Sequence, residues 1–332
     1  MKLKNYLLVL KNKENRKHKE NICIYGVSSI IKLVYLDIKK RDYGEIKSML
    51  NKLKIPYQTI YSWISGSNPI PISKTYNLIN FWQKSCNLTE KEFIEKWDLI
   101  YEENKGFSQN GQRRVVLPKE INENLGYLVG FFQGDGHLKK ENTKGFQEYS
   151  IYFYEGNKKI LENINIIIQK EFGISGNIYL GTNKKDYKCY TLRISSKPIY
   201  NFFKNILKLK TGKKVRNIET PEIIKKSELP IQLSFIKGFF DAEGGVGETK
   251  KNPWLDLGQA SKETPCEILI WIKDKLNESG IILSEPRRTK NQEYFRIRTA
   301  KRETIKRFFN IVSSEHIEKI NKFKKIIKKC QM

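Results

Sequence analysis

What this chain has little of narrows the field before any motif is read. Five cysteines (Cys23, Cys86, Cys189, Cys266, Cys330) are scattered through 332 residues with no Cys-x-x-Cys pair, so neither a thiolate zinc site nor a disulfide framework is indicated. The three histidines, His18, His137 and His316, lie far apart, a poor basis for a histidine-held metal or a Ser-His-Asp triad. No apolar run approaches the roughly 18 residues a membrane span needs, and the early stretch NYLLVL is too short for a secretory segment. The expectation is a soluble, cytoplasmic protein with no membrane partner. Acids are scarce too: 36 Asp+Glu stand against 62 Lys+Arg, a net charge of +26. Positive charge on that scale repels itself unless it meets a polyanion, and nucleic acid is the first candidate. Whatever chemistry exists must rest on carboxylates, in a chain long enough for two or three domains with their own cores.

What is present is a repeat. GFFQGDG (Gly130 to Gly136) returns as GFFDAEG (Gly238 to Gly244). Later, TLRISSK (Thr191 to Lys197) is echoed by YFRIRTAK (Tyr294 to Lys301), and Phe202-Phe203 by Phe308-Phe309. Hydrophobic periodicity changes in the same order twice. Strand-like Glu148 to Glu155 and Trp254 to Ser261 lead into helical Lys158 to Glu171 and Thr264 to Ser279, which Gly173 and Gly280 stop. Further strands are expected at Asn177 to Leu180, Tyr187 to Ile194, Ile282 to Arg287 and Tyr294 to Arg298, with closing helices at Pro198 to Leu207 and Arg302 to Ile311. Each unit reads helix, two strands, helix, two strands, helix, an α+β subdomain with a four-stranded sheet.

The first helix of each unit carries small residues four apart: Gly126, Gly130 and Gly134 in one, Ser234, Gly238 and Ala242 in the other. At about 3.6 residues per turn these share a face, and small faces let two helix backbones approach closely. Packed so, the helices bring Asp135 and Glu243 together at one end. A helix C-terminus is partially negative, so each acid there costs about 0.3–1 kcal/mol, and paired acids repel. A divalent cation reverses that balance: hard oxygen ligands suit Mg²⁺, with Mn²⁺ the alternative, and carboxylate-held metals serve in-line phosphodiester displacement. The plainer reading of Asp135-Gly136 and Glu243-Gly244 is a pair of helix-ending turns; their matched recurrence in a strongly basic chain favours the site. Asp241 faces Gln133 in the alignment of the repeats and reads as structural or supporting.

LVGFFQGDG (Leu128 to Gly136) and FIKGFFDAEG (Phe235 to Gly244) resemble the paired signature helices of the LAGLIDADG homing endonucleases in their single-chain, two-repeat form, over roughly residues 119–312. The resemblance implies two pseudo-symmetric αββαββα repeats whose antiparallel sheets form a saddle over double-stranded DNA. It implies a monomeric endodeoxyribonuclease that hydrolyses both strands of a long site and leaves short 3′ overhangs. It makes Asp135 and Glu243 the catalytic metal ligands, with Gly134 and Ala242 beside them as further metal candidates. Lys197 and Lys301, after the fourth strand of each repeat, match a lysine found near the scissile phosphates; TAKR around Lys301 matches less well. Gln259 or Ser261 in the second repeat, and Glu155 in the first, answer to a polar residue near the end of the second strand. Met1 is no splicing nucleophile and KKCQM lacks a His-Asn pair, so a freestanding or intron-encoded enzyme is expected rather than an intein. An RNA maturase, or a non-cleaving DNA-binding regulator, is the alternative on the same scaffold.

Residues 1–105 lie outside the resemblance and read as a mainly helical domain. Within them Ile46 to Gly66 looks like a helix-turn-helix broken at Lys54-Ile55, whose second helix presents Tyr57, Gln58 and Tyr61 to DNA; an ordinary helical hairpin has the same pattern. Residues 106–118 read as a linker, with Arg113 and Arg114 as phosphate contacts. The repeats follow at 119–218 and 219–332, the latter ending in a basic helix with an apolar stripe at Ile317, Ile320, Phe323 and Ile327. Across the sheets Ser150, Tyr152, Tyr154, Lys188, Tyr190, Arg193, Arg287, Arg288, Arg296 and Arg298 are candidate DNA contacts. A one-residue error in register exchanges the two faces.

Overall fold

The computed structural model describes the chain except residues 1, 4–5, 11–20, 42, 110–112, 144–145, 183–187, 213–217, 250–251, 290–292 and 329–332. In the N-terminal region α1 (Leu7–Leu10), β1 (Ile22–Tyr25), α2 (Ser28–Arg41), α3 (Tyr43–Leu53), α4 (Tyr57–Ile64), β2 (Ile70–Pro71), α5 (Ile72–Ser85), α6 (Glu90–Glu103) and β3 (Gly106–Gln109) follow in order. The expected α3–turn–α4 unit is there: Ile46, Met49, Leu50, Ile60 and Trp63 are buried, and Lys54 takes a left-handed φ of 51° in the turn. The region is not helical alone. β1 pairs antiparallel with both β2 and β3, so the stretch expected to be a linker begins as a sheet strand. Val115 then bridges Phe107, and Val115 and Leu117 are buried. The apolar residues of that stretch explain the difference, because a solvated linker would have left them in water.

The first repeat runs α7 (Glu123–Asp135), β4 (Gly136–Thr143), β5 (Phe146–Glu155), α8 (Lys158–Phe172), β6 (Asn177–Thr182), β7 (Lys188–Ser195) and α9 (Lys197–Asn201), the last continuing as a π-helical turn over Phe202–Ile206. A short α10 (Glu222–Lys225) precedes the second repeat: α11 (Leu229–Glu243), β8 (Gly244–Thr249), β9 (Asn252–Ala260), α12 (Glu267–Glu278), β10 (Arg287–Arg288), β11 (Tyr294–Thr299) and α13 (Arg302–Ile311), followed by α14 (Ile317–Lys328). The sheets have matching orders, β4-β5-β7-β6 and β8-β9-β11-β10, all antiparallel. The expected strand over Ile282 to Arg287 shrinks to the two residues of β10. Pairing of Gly136 with Phe153 and of Gly244 with Leu257 sets the internal symmetry. Phe132 packs on Phe203 and Phe240 on Phe308, ring centroids 5.7 and 4.8 Å apart. Phe203 is therefore the counterpart of Phe308, one position off the alignment of the two Phe-Phe pairs, as the strand register sets it: Leu192 pairs with Phe153 and Ile297 with Leu257.

The N-terminal region is fastened to the first repeat. The Tyr6 ring lies 5.7 Å from that of Phe202, and its hydroxyl donates to the carbonyls of Leu117 and Pro118 at 3.0 and 3.1 Å. At the other end α14 stacks Phe323 on Phe309 at 4.1 Å and buries Ile326, while Ile317, expected in its apolar stripe, is exposed.

Candidate active site

Helices α7 and α11 meet along the small-residue faces read from the sequence. A Cβ on Gly126 would come within 2.7 Å of the Ile231 carbonyl oxygen; on Gly130 it would strike the Phe235 carbonyl, and on Gly238 the Tyr127 carbonyl. No side chain fits between these backbones, which is the physical use of glycine here. Ser234 contributes a bond as well as small size, its hydroxyl donating to the Glu123 carbonyl at 2.8 Å. At the far end a Cβ on Gly134 would sit 2.5 Å from Ala242 Cβ and 2.8 Å from Glu243 Cγ. The α11 acid thus begins against the α7 backbone one residue before Asp135. The structure brings Asp135, Glu243, Gly134 and Ala242 together.

Neither helix ends in the left-handed turn that glycine usually supplies. Gly136 and Gly244 are extended, φ −100° and −89°, and each helix runs straight into a strand. They are glycines because a Cβ would hit the rings of Phe132 and Phe240 below. Both acids are thereby held at the seam between a helix C-terminus and a sheet edge, each partly exposed.

Register decides which other residues belong there. Two positions beyond Phe153 and Leu257, on the same helix-facing side, stand Glu155 and Gln259. Burial raises the Glu155 carboxyl above its ordinary range, against the amides of Asn157 and Gly156 and the charge of Lys319. Gln259 is buried, and its Oε1 has no hydrogen-bond partner, a polar atom placed for water or a ligand. Ser261 is instead absorbed by a turn, donating to the Thr264 carbonyl. Tyr294 also feels both acids: burial first, then Glu243, push its hydroxyl up to about 12.

The lysines expected near the scissile phosphates, Lys197 and Lys301, stand further along the sheets than the acids. The Ser196 amide bonds the Tyr149 carbonyl, four residues along β5 from the level of Gly136. Lys301 stands four residues beyond Ile297, which pairs with Leu257. At roughly 3.3 Å per residue each lies about 13 Å along the strands from the acids. Lys197 is buried with its ammonium 4.9 Å from the Tyr149 ring centroid, and Lys301 is an exposed residue preceding α13. Sequence reasoning missed Lys319 of α14, whose ammonium donates to the carbonyls of Phe240 and Asp241 at 2.6 and 2.8 Å. It lies beyond the repeats, and no local pattern marks it. A cavity of about 160 Å³ beside Gln133, walled in part by Lys208 and Lys210, also went unread.

Asp241 is a structural acid. Tyr127 Oη, Ser314 Oγ and the Glu315 amide all donate to its carboxylate. Burial nonetheless pushes its pKa up, the hydrogen bonds and Lys319 pulling the other way.

The outward sheet faces are now fixed. In the first, Tyr152, paired with Arg193, shares its face with Ser150 and Tyr154; Tyr190 falls on the helix side, and Lys188 has the same parity. Arg193 is tied to Glu148. In the second, Tyr294, Arg296 and Arg298 alternate with buried Phe295, Ile297 and Thr299. Arg287 pairs with Arg296 on that face, whereas Arg288 pairs with Phe295 and has the opposite parity. Arg296 reaches Asp256 at 3.5 Å, and Arg298 lies over Trp254. Arg113 and Arg114 already bond the carbonyls of Ser175 and Lys105. Tyr57, Gln58 and Tyr61 are exposed on α4, the two tyrosine hydroxyls 2.9 Å apart.

Among the described residues no group of three or more His, Cys, Asp or Glu side chains is arranged to hold a metal. Two carboxylates beside main-chain carbonyls and an unpartnered amide oxygen nevertheless fit a hard cation that keeps most of its water.

Residues 122–207 match the family model described as a LAGLIDADG-like domain. The homing endonuclease I-ApeI of Aeropyrum pernix is 27% identical over 207 residues, 61% of this chain and 86% of that one. A glutamine–fructose-6-phosphate aminotransferase of Methanocaldococcus jannaschii is 30% identical over 183 residues, 54% of this chain, which spans only 14% of that relative's length. Among solved structures, I-DmoI in complex with DNA and Mn is similar at 24% identity and a TM-score of 0.42, covering 58% of this chain and 98% of that one. By its match over residues 122–207, and with two acid-ended helices packed backbone to backbone, the chain carries a LAGLIDADG-like domain.

Proposed function

We propose that this protein is a divalent-cation-dependent, site-specific endonuclease that cuts both strands of double-stranded DNA. The observation that carries the reading is the joining of Asp135 and Glu243 where two glycine-lined helices touch. Two adjacent acids at two helix C-termini are unfavourable for stability, and a basic chain has no need of them unless they bind a cation. Mg²⁺ or Mn²⁺ held by Asp135 and Glu243, with Gly134 and Ala242 offering main-chain oxygens, would polarise the scissile phosphate and acidify bound water. The protein's own part is to hold one acid toward each strand with sub-ångström rigidity, which the helix contact provides. The Gln259 amide and the Glu155 carboxyl flank the acids from the sheets and can order water there.

Tyr152, Tyr154, Arg193, Arg287, Arg296 and Arg298 make the outward faces suited to DNA, arginine reading guanine bidentately and phosphates setting register. Helix α4 adds a second contact through Tyr57, Gln58 and Tyr61. Short 3′ overhangs are what the resemblance to the LAGLIDADG homing endonucleases implies for the products. Asp135→Asn and Glu243→Gln should each lose double-strand cleavage of a plasmid library with Mg²⁺ while binding DNA within about twofold of wild type. Full cleavage by both variants sinks the proposal; wild-type protein that binds without cutting points to the maturase or regulator.

A further inference from the structure

Lys319 brings a half-buried ammonium to the last turn of α11, and it comes from outside the repeat pair. The turn before α14 is latched to α11 by Asp241, which takes bonds from Ser314 Oγ and the Glu315 amide. One helical turn later Lys319 passes 4.9 Å over the Phe240 ring and donates to two carbonyls in the last turn of α11. Those carbonyls form the negative end of the helix that presents Glu243. The carboxylates of Asp241, Glu155, Asp135 and Glu243 all act to keep Lys319 charged, against burial, which lowers its pKa. His316, on the same segment, stands 4.0 Å from Glu155, and burial holds its pKa down. The ammonium of Lys319 thus interacts with four carboxylates on this side of the site.

We infer that Lys319 is a resident counter-ion and positioning residue. It lets Asp135 and Glu243 stand together without metal, and it weakens their hold on a divalent cation until DNA phosphate adds negative charge. This rests on the proposed nuclease site. The physical ground is that a fixed positive charge among the ligands opposes a second cation by Coulomb repulsion in a poorly screened place. The same ammonium adds a donor to carbonyls in the last turn of α11, that of Phe240 also taking the Gly244 amide.

Mn²⁺ binding to the full-length, DNA-free protein, followed by electron paramagnetic resonance, tests this with no need for turnover. Lys319→Gln keeps a hydrogen-bond donor but no charge, Lys319→Met keeps neither, and Lys319→Arg keeps both. Gln and Met variants should bind Mn²⁺ at least tenfold more tightly than wild type, and Arg should stay within about twofold. Their metal-free melting temperature should fall, and added Mn²⁺ should raise it by more than it raises that of wild type. If Met fails to fold, Gln decides. Equal Mn²⁺ affinity in the wild-type, Gln and Arg proteins overturns this inference alone. No Mn²⁺ binding in any of them overturns it together with the metal site.

Discussion

At the scale of single residues the two kinds of acid separate. Asp135 and Glu243 are partly exposed at a seam, whereas Asp241 is buried and takes three hydrogen bonds. Replacing a carboxylate oxygen by an amide group turns an acceptor into a donor facing donors, at a cost of about 1–3 kcal/mol. Asp241→Asn should therefore destabilise the fold by about that amount, while Asp135→Asn should leave the urea midpoint unchanged or higher. Equal loss in both would place Asp135 among the structural acids. The glycines differ in the same way. Gly130→Ala drives a methyl into the Phe235 carbonyl and should lose about 3 kcal/mol or more in a urea titration. Gly156, with nothing within 4 Å of its would-be Cβ, should accept alanine almost neutrally. The sequence showed the small residues and the acids at correct positions, because helical periodicity alone places them on one face. It could not place Lys197, whose distance from the acids is set by strand register.

At the scale of elements, α14 is a strap over the second repeat, and its attachment is sensitive to pH. Burial holds the His316 pKa below its ordinary 6.5, and its Nδ1 lies buried without a hydrogen-bond partner. The unfolded chain then takes up the proton first, so this contribution to stability is fully present above about pH 6.5 and declines as pH falls below it. The charged groups facing His316 are Glu155 on β5 and Glu318, Lys319 and Lys322 on α14. Comparing thermal melts of wild type and His316→Gln between pH 7.5 and 5.5 should show the wild type losing more. Parallel curves would remove His316 as the cause. The strap's charge pattern was visible in the sequence as a basic tail. Its packing face was not, since the residue it buries is Ile326 rather than Ile317, a choice fixed by the Phe323–Phe309 stack.

At the scale of the whole molecule, one continuous core runs from the N-terminal region into both repeats. Tyr6→Ala removes a ring from Phe202 and two hydrogen bonds to the 117–118 carbonyls. It should lower stability by about 3 kcal/mol or more in a single cooperative transition. Two separate transitions would show the N-terminal region to be an independent domain. With a net charge of +26, the proposed binding to DNA should weaken steeply with salt, about 0.9 of a log-log unit per phosphate neutralised. Arg298→Ala should reduce that slope by about one contact, and an unchanged slope would take Arg298 off the DNA face.

Sequence alone determined the repeat, the helix faces, the two acids and the charge, because each is local or periodic: it depends on spacing along one helix or on a count over the chain. Tertiary structure decided what depends on distance across the chain. Phe107, Val115 and Leu117 became part of a core, the arginines were sorted between two sheet faces by register, and Lys319, some 75 positions after Glu243, was set against the last turn of the helix that carries it. Nothing in local periodicity encodes that last placement, which follows from α14 folding back onto α11 through Asp241.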